Sequence, residues 1–337
     1  MINKENIKKY KKIYVACPAR VKTGGTELLH QLVAELRKIK VNVTMVYTTN
    51  TEHPTPDAFK RYVDEYVYID EIEDSSDNLL ILSEVEISHV FNYNSINVAV
   101  WWLSVDNYLK YYGIKEAYRI RGWKGVLGYV RQKGWTKKEY PIGNIRDLIS
   151  INYAQSYYAI DFLKKNNFNN IVYLSDYINM DYIESANIKR DRKNVVLYNP
   201  VKGKAFTKRL MKMDRTIQWK PLVNMSNEEV RENLETSKVY VDFGNHPGKD
   251  RFPREAAICG CCVITGKRGA AAFDKDVSIP KEYKFEDKPE SYNCIIKKIK
   301  DCFDHFEERQ NDFSNYRELI SNEPSEFLKD VKKIFGD

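Results

Sequence analysis

The chain lacks what several classes of protein require. Its 337 residues contain no apolar run long enough to span a bilayer. The opening stretch MINKENIKKYKKIYVA has neither the long apolar core nor the small-residue cleavage site of a signal peptide, so the cytoplasm is the expected home. Cysteines are few: Cys17, Cys259, Cys261, Cys262, Cys294 and Cys302 are unevenly spread and do not read as a disulfide framework. Cys259 and Cys262 make a C-x-x-C, but no second pair with histidines accompanies it, and small buried residues at a helix-to-strand junction are the better reading. No short-period repeat or low-complexity tract occurs. The first glycine turn carries no Gly-Lys-Ser/Thr, which excludes a P-loop there.

What is present points to a two-domain globular protein. A 43% hydrophobic content supports packed cores, and the length exceeds what one core usually organises. The formal charge of +7 is modest, so its placement matters more than its size. Residues 107–140 hold nine Lys or Arg against Glu116 and Glu139, a local excess equal to that of the whole chain, together with eight Tyr or Trp.

The amino-terminal stretch reads as a βαβ unit: KKIYVAC is strand-like, KTGGTE breaks it, LLHQLVAELRKI has helical spacing, and VNVTMVY is strand-like again. Further strands are expected at 65–69, 79–82, 89–91, 98–103, 148–151 and 170–174, and a helix at 155–166. A second cycle follows residues 181–193: KNVVLYN, TIQWKPL and KVYVDFG read as strands, and GKAFTKRLMKM and EEVRENLET as helices. Such alternation predicts mostly parallel sheets covered by helices. The expected division is 1–180, 181–320 and a terminal helix over 321–337.

The stretch HPGKDRFPREAAICGCCVITG, residues 246–266, crowds charge where a strand gives way to a helix. Such a loop lies at the carboxyl edge of the sheet, where open α/β sheets bind ligands and a helix amino terminus favours an anion. Lys249, Arg251 and Arg254 would serve a diphosphate, with Glu255 accepting from sugar or ribose hydroxyls. Composition supports equally a helix capped by Asp250 with its neighbours on a solvated face.

This segment resembles the carboxyl-terminal donor-binding motif of the GT-B-fold glycosyltransferases, in particular the retaining group that includes sucrose synthase and bacterial sugar transferases. Glu255-Ala256 matches the second glutamate of that motif, Cys259-Gly260 the helix end, and CVITG the strand; Pro247 stands where the first glutamate belongs. That departure leaves retaining or inverting stereochemistry open, and Asp250 is a candidate substitute. CPARVKTGGTELLHQL resembles the family's first glycine turn, implicating Gly24 and Gly25, and LYNPVKGKAFTKRL its phosphate-binding turn, implicating Lys202 and then Lys204. GKRGAAAF resembles the glycine loop near the donor sugar, implicating Arg268 and Gly269. The resemblance implies a GT-B fold of two Rossmann-like domains facing a cleft and transfer of a sugar from a nucleoside diphosphate to a glycan or lipid-linked acceptor. Capsule or cell-envelope polysaccharide assembly is the implied setting. No metal or other cofactor is required in principle, because the helix terminus and basic side chains would stabilise the leaving diphosphate.

Asp106 follows an apolar strand and is the candidate acceptor base or orienter; the structural alternative is that it caps the next helix. His30 and His89 read as bystanders, with lining of the cleft as the alternative reading for His89. For residues 107–140 three readings stand: contact with the inner membrane leaflet, stacking on nucleic-acid bases, and an insertion whose aromatics are packed. Nucleic acid is not the expected partner. An epimerase or phosphorylase on the same fold, and a non-catalytic membrane or nucleic-acid binder, are the rival functions.

Overall fold

The computed structural model describes residues 10–109, 114–133 and 139–336. It divides into two units, one closing at Asp176 and taking in the chain again from Glu326, the other spanning Tyr177–Ser325.

In the first unit seven short apolar runs form one parallel sheet: β1 (Lys12–Cys17), β2 (Val43–Tyr47), β3 (Tyr66–Tyr68), β4 (Asn78–Ser83), β5 (Asn97–Trp102), β6 (Ile151–Ala154) and β7 (Ile171–Tyr173). Their order is β3-β2-β1-β4-β5-β6-β7. Strands covered on both faces need apolar residues at successive positions, and β4 is buried at every one. The adjacent Trp101 and Trp102 of β5 are both fully buried. Trp102 packs edge-on against Tyr108 and Phe168, and its indole N–H donates to Asn152 Oδ1 at 3.0 Å. Trp101 stacks on Phe327.

The second unit has five parallel strands: β8 (Lys193–Tyr198), β9 (Gln218–Pro221), β10 (Ser237–Asp242), β11 (Cys262–Gly266) and β12 (Lys284–Phe285), in the order β12-β11-β10-β8-β9. From β8 the chain goes outward to β9, then returns to lay β10 on the other side. The strand order therefore reverses between β8 and β10, and a crevice opens at their carboxyl ends at such a point. β1 and β4 make the corresponding reversal in the first sheet.

Several local expectations need correcting. Residues 89–91 are not a strand but part of a 3₁₀ segment, Glu84–Phe91, because Ile87 and Val90 are buried three residues apart rather than in alternation. The strand expected at 148–151 is β6, shifted downstream by a 3₁₀ turn at Arg146–Leu148. Within the basic aromatic segment, 110–113 and 134–138 lie outside the described residues; Ile114–Lys133 is a helix interrupted at Gly122, whose φ is 57°. The terminal helix runs Ser314–Phe335 and carries Pro324 within it.

Candidate functional site

Two loops approach closely at the reversal of the second sheet. Gly203, after β8, has φ +56°, and a Cβ there would lie 2.5 Å from the Phe243 carbonyl oxygen; a Cβ on Gly244 would run into the Cβ of Lys202. Glycine is needed at both positions because the backbones cross. The crossing carries Lys202 over the 244–250 loop, where its ammonium pairs with Asp250 Oδ2. Lys204, the first residue of helix Lys204–Met213, is exposed.

His246 is fully buried in that loop. Its Nδ1 is 2.9 Å from Asp250 Oδ2 and its Nε2 3.8 Å from Asp242 Oδ1. Burial opposes the imidazolium, but the two carboxylates outweigh it and raise the His246 pKa. Burial likewise acts to raise the Asp250 pKa, and His246 and Lys202 reverse the sign, leaving it lowered. Asp242 accepts from Gly244 N–H at 3.1 Å and Tyr240 O–H at 3.2 Å. Asp242, His246 and Asp250 bring metal-ligating atoms within 4.8 Å of one another. The imidazole, however, turns one ring nitrogen toward each carboxylate, and Lys202 already occupies Asp250. As they stand, the groups form an ion-pair chain running Asp242–His246–Asp250–Lys202.

Asp250 occupies the cap position of helix Arg251–Ile258, yet its side chain accepts no hydrogen bond from the first turn, being engaged by His246 and Lys202. The expected capping role gives way to this pairing. The charges around it sort into two groups. Arg254, expected among the donor-facing cations, is instead completely buried: its guanidinium meets Glu323 at 2.8 Å and donates to the carbonyls of Asp250 and Lys249. Lys249 also pairs with Glu323, at 2.8 Å, its side chain 10% exposed. These two cations brace the loop. Arg251 is more open and pairs with Glu255 at 3.0 Å, where Glu255 is nearly buried.

The loop after β11 joins the same edge. His246 N–H donates to the Arg268 carbonyl and Ala270 N–H to the His246 carbonyl, while Gly269 has φ +62° and sits where any side chain would strike His246. Arg268 is 57% exposed, and its guanidinium is 3.5 Å from Asp287 Oδ2. Asp287, just beyond β12, was not singled out from the sequence; nothing in a loop reading EDKPE distinguishes it. Burial pushes its carboxyl up to about 6 against the pull of Arg268.

In the first unit, Gly24 and Gly25 are the opening residues of helix Gly24–Lys38 rather than a glycine loop. Thr23 caps that helix, accepting from Thr26 N–H at 3.3 Å while Thr26 Oγ1 accepts from Thr23 N–H at 2.9 Å. Asp106 lies in the short helix Val105–Tyr108, whose cap position is Ser104, and accepts from Tyr158 O–H at 3.1 Å. Beside it sequence reasoning missed Glu84: it is buried after β4, accepts from Leu103 N–H at 3.0 Å, and is pushed by that burial up to about 7. His30 is a core residue between the Thr26 carbonyl and Tyr47 O–H, at 2.7 and 2.8 Å. His89 stands 3.2 Å from Glu86. Cys259, Cys261 and Cys262 are fully buried.

No family model matches the sequence, and no curated protein is similar to it at the sequence level. Solved structures are similar in fold. HepE of Anabaena, solved in complex with UDP, has a TM-score of 0.60 at 12% identity, covering 96% of this chain and 97% of its own. A TarM mutant of S. aureus, solved with fondaparinux, alpha-GlcNAc-glycerol and UDP, has a TM-score of 0.57 at 14% identity over 80% of this chain; the match spans 57% of TarM. BGT of T4 phage, solved with its UDP-glucose substrate, has a TM-score of 0.53 at 10% identity, covering 96% and 99%. Two Rossmann-like units, each on a parallel sheet, are the architecture of the GT-B glycosyltransferases, and this chain has that fold.

Proposed function

We propose that this chain is a glycosyltransferase that moves a sugar from a nucleoside diphosphate to a hydroxyl of a glycan or lipid-linked acceptor. One observation carries the proposal. At the strand-order reversal of the second sheet, an eight-residue helix begins without a side-chain cap from Asp250, and the cation Lys202 is held beside that start by an ion pair. A departing diphosphate needs backbone N–H groups and a fixed positive charge near its oxygens, and both are to hand here.

In this reading the diphosphate competes with Asp250 for Lys202. Arg251 and Arg268, both partly exposed, and the exposed Lys204 add positive charge, while Glu255 accepts a hydroxyl of the donor. Gly269 keeps the backbone of the next loop bare. The role of Lys249 and Arg254 is to hold the loop in place. Transfer needs no metal ion, since the developing charge falls on the helix terminus and these cations. Asp106, with Gly24 and Gly25 on a neighbouring loop of the first sheet, is proposed on the acceptor side, as base or orienter. UDP is the first donor nucleotide to try, because HepE and TarM were solved with it and BGT with UDP-glucose.

Among the described residues no helix is long and apolar enough to cross a membrane. Helix Ile114–Lys133 nevertheless exposes Tyr118, Trp123 and Leu127, at 52%, 71% and 70%. Lys115 and Arg131 are exposed on the same helix. Aromatic rings with flanking cations suit the surface of an anionic bilayer. These features support contact with the cytoplasmic membrane face, and capsule or envelope polysaccharide assembly is the setting we propose.

A thermal-shift panel of UDP, GDP, dTDP and CMP with their sugars tests the reading, since a ligand that prefers the folded state raises the melting temperature. One nucleotide and its sugar should stand out, with free nucleoside diphosphate released only when acceptor is added. Release without acceptor, or no responder, defeats the transferase assignment.

A further inference from the structure

The carboxylates at the carboxyl edge of the second sheet are nearly all in use. Asp242 accepts from Gly244 N–H and Tyr240 O–H, Asp250 serves His246 and Lys202, and Glu255 serves Arg251. Pro247 offers no side-chain acceptor at all. Asp287 differs. Its side chain is nine-tenths buried, and neither carboxylate oxygen has a hydrogen-bond partner. Its nearest cation among the described residues is Arg268, loosely placed at 3.5 Å and itself more than half exposed, with the buried His246 acting on it from further off. A buried acceptor left unpaired is costly and rare in native proteins, so an arrangement of this kind calls for a donor.

Its position says what kind of donor. Asp287 follows β12, which runs parallel to β11, and its carboxylate lies against Gly266, the last residue of β11, where any Cβ would collide with it. The loop that continues from Gly266 carries Arg268 and then Gly269, the latter bonded to the His246 loop. Arg268 and Asp287 thus present a cation and an acceptor side by side at the edge where the diphosphate is seated in the reading above. A nucleoside-diphosphate sugar offers the matching pair, phosphate oxygens next to hydroxyl donors. Resting on that reading, we infer that Asp287 is the acceptor for adjacent hydroxyls of the transferred sugar, and that the donor is a neutral UDP-linked hexose rather than a uronic acid.

The exclusion of a uronic acid follows from charge. Asp242, Asp250 and Asp287 gather on this edge, and a sugar carboxylate brought to Asp287 would meet a like charge in a poorly hydrated setting. Arg268 cannot serve both a diphosphate and such a carboxylate. A hydroxyl pair, by contrast, supplies the two missing donors.

The test measures binding of UDP, UDP-glucose, UDP-N-acetylglucosamine and UDP-glucuronic acid to the full chain, as wild type, Asp287→Asn and Asp287→Ala. The wild type should hold the better neutral sugar about tenfold or more tightly than UDP-glucuronic acid, the scale of one hydrogen bond to a charged group. Both variants should lose that preference while binding UDP as the wild type does. UDP binding also certifies that each variant is folded. Undiminished discrimination in both variants overturns this inference and leaves the transferase reading standing. A wild type that binds UDP but prefers the uronic acid overturns it too. Failure of every nucleotide and nucleotide sugar to bind the wild type removes the transferase reading and this inference with it.

Discussion

Arg254 and Glu323 meet at 2.8 Å with the arginine side chain wholly buried and the glutamate 10% exposed, so the start of helix Arg251–Ile258 is pinned to the terminal helix through one charged pair. The same glutamate also holds Lys249. All five ionised side chains from Lys249 to Glu255 therefore answer to a specific partner inside the second unit, Lys202 supplying that of Asp250.

Removing Glu323 takes one carboxylate away from two cations, one of them fully buried. Glu323→Ala is expected to cost about 3–5 kcal/mol of stability, the range for breaking a buried pair from one side. Urea denaturation checks this. Donor affinity in the protein that remains folded should be retained, whereas a stable variant with impaired donor binding would turn Arg254 back toward the ligand.

Lys202 and Glu255 should both affect turnover rather than stability. Lys202→Ala is expected to lower kcat/KM by about tenfold to a hundredfold, the scale of losing one charge-stabilising group, with little change in melting temperature. Glu255→Ala should weaken donor turnover with the fold intact. Steady-state kinetics over a range of donor concentrations decides, and unchanged kinetics would remove either residue from the site.

Glu84 makes a prediction about pH. Burial raises its carboxyl to about 7 from an ordinary value of 4.5, so the folded state holds this proton more tightly than the unfolded chain does. The contribution to stability is fully present below about pH 4.5 and is lost as pH climbs through 7. Glu84→Gln should flatten that part of the stability profile, read from urea midpoints between those limits. A profile of unaltered slope would assign the titration to another group.

The sheets were readable in the sequence because parallel strands buried on both faces need near-continuous apolar runs, as in LLIL of β4 and VVLY of β8. The segment 84–91 misled because its four apolar residues, Val85, Ile87, Val90 and Phe91, are too few to carry a reliable period. At the site, spacing correctly marked the 246–266 loop as a place of concentrated charge, but not which charges face inward. Arg251 and Arg254 are three apart in sequence and one is partly open while the other is sealed, a distinction set by Glu323, nearly seventy residues away. Asp287 and Glu84 were missed for the same reason. Their peculiarity is a carboxyl whose pKa is raised by burial, which only the packing of distant strands creates.

The crossing of Gly203 with Gly244 carries a consequence for how this protein can change over time. Neither position has room for even a methyl group unless the opposite backbone yields, so a tolerated replacement at one should arrive together with a rearrangement of the other loop. Divergent descendants of this chain should therefore show the two segments drifting in concert, with Lys202 and Asp250 retained or lost as a couple.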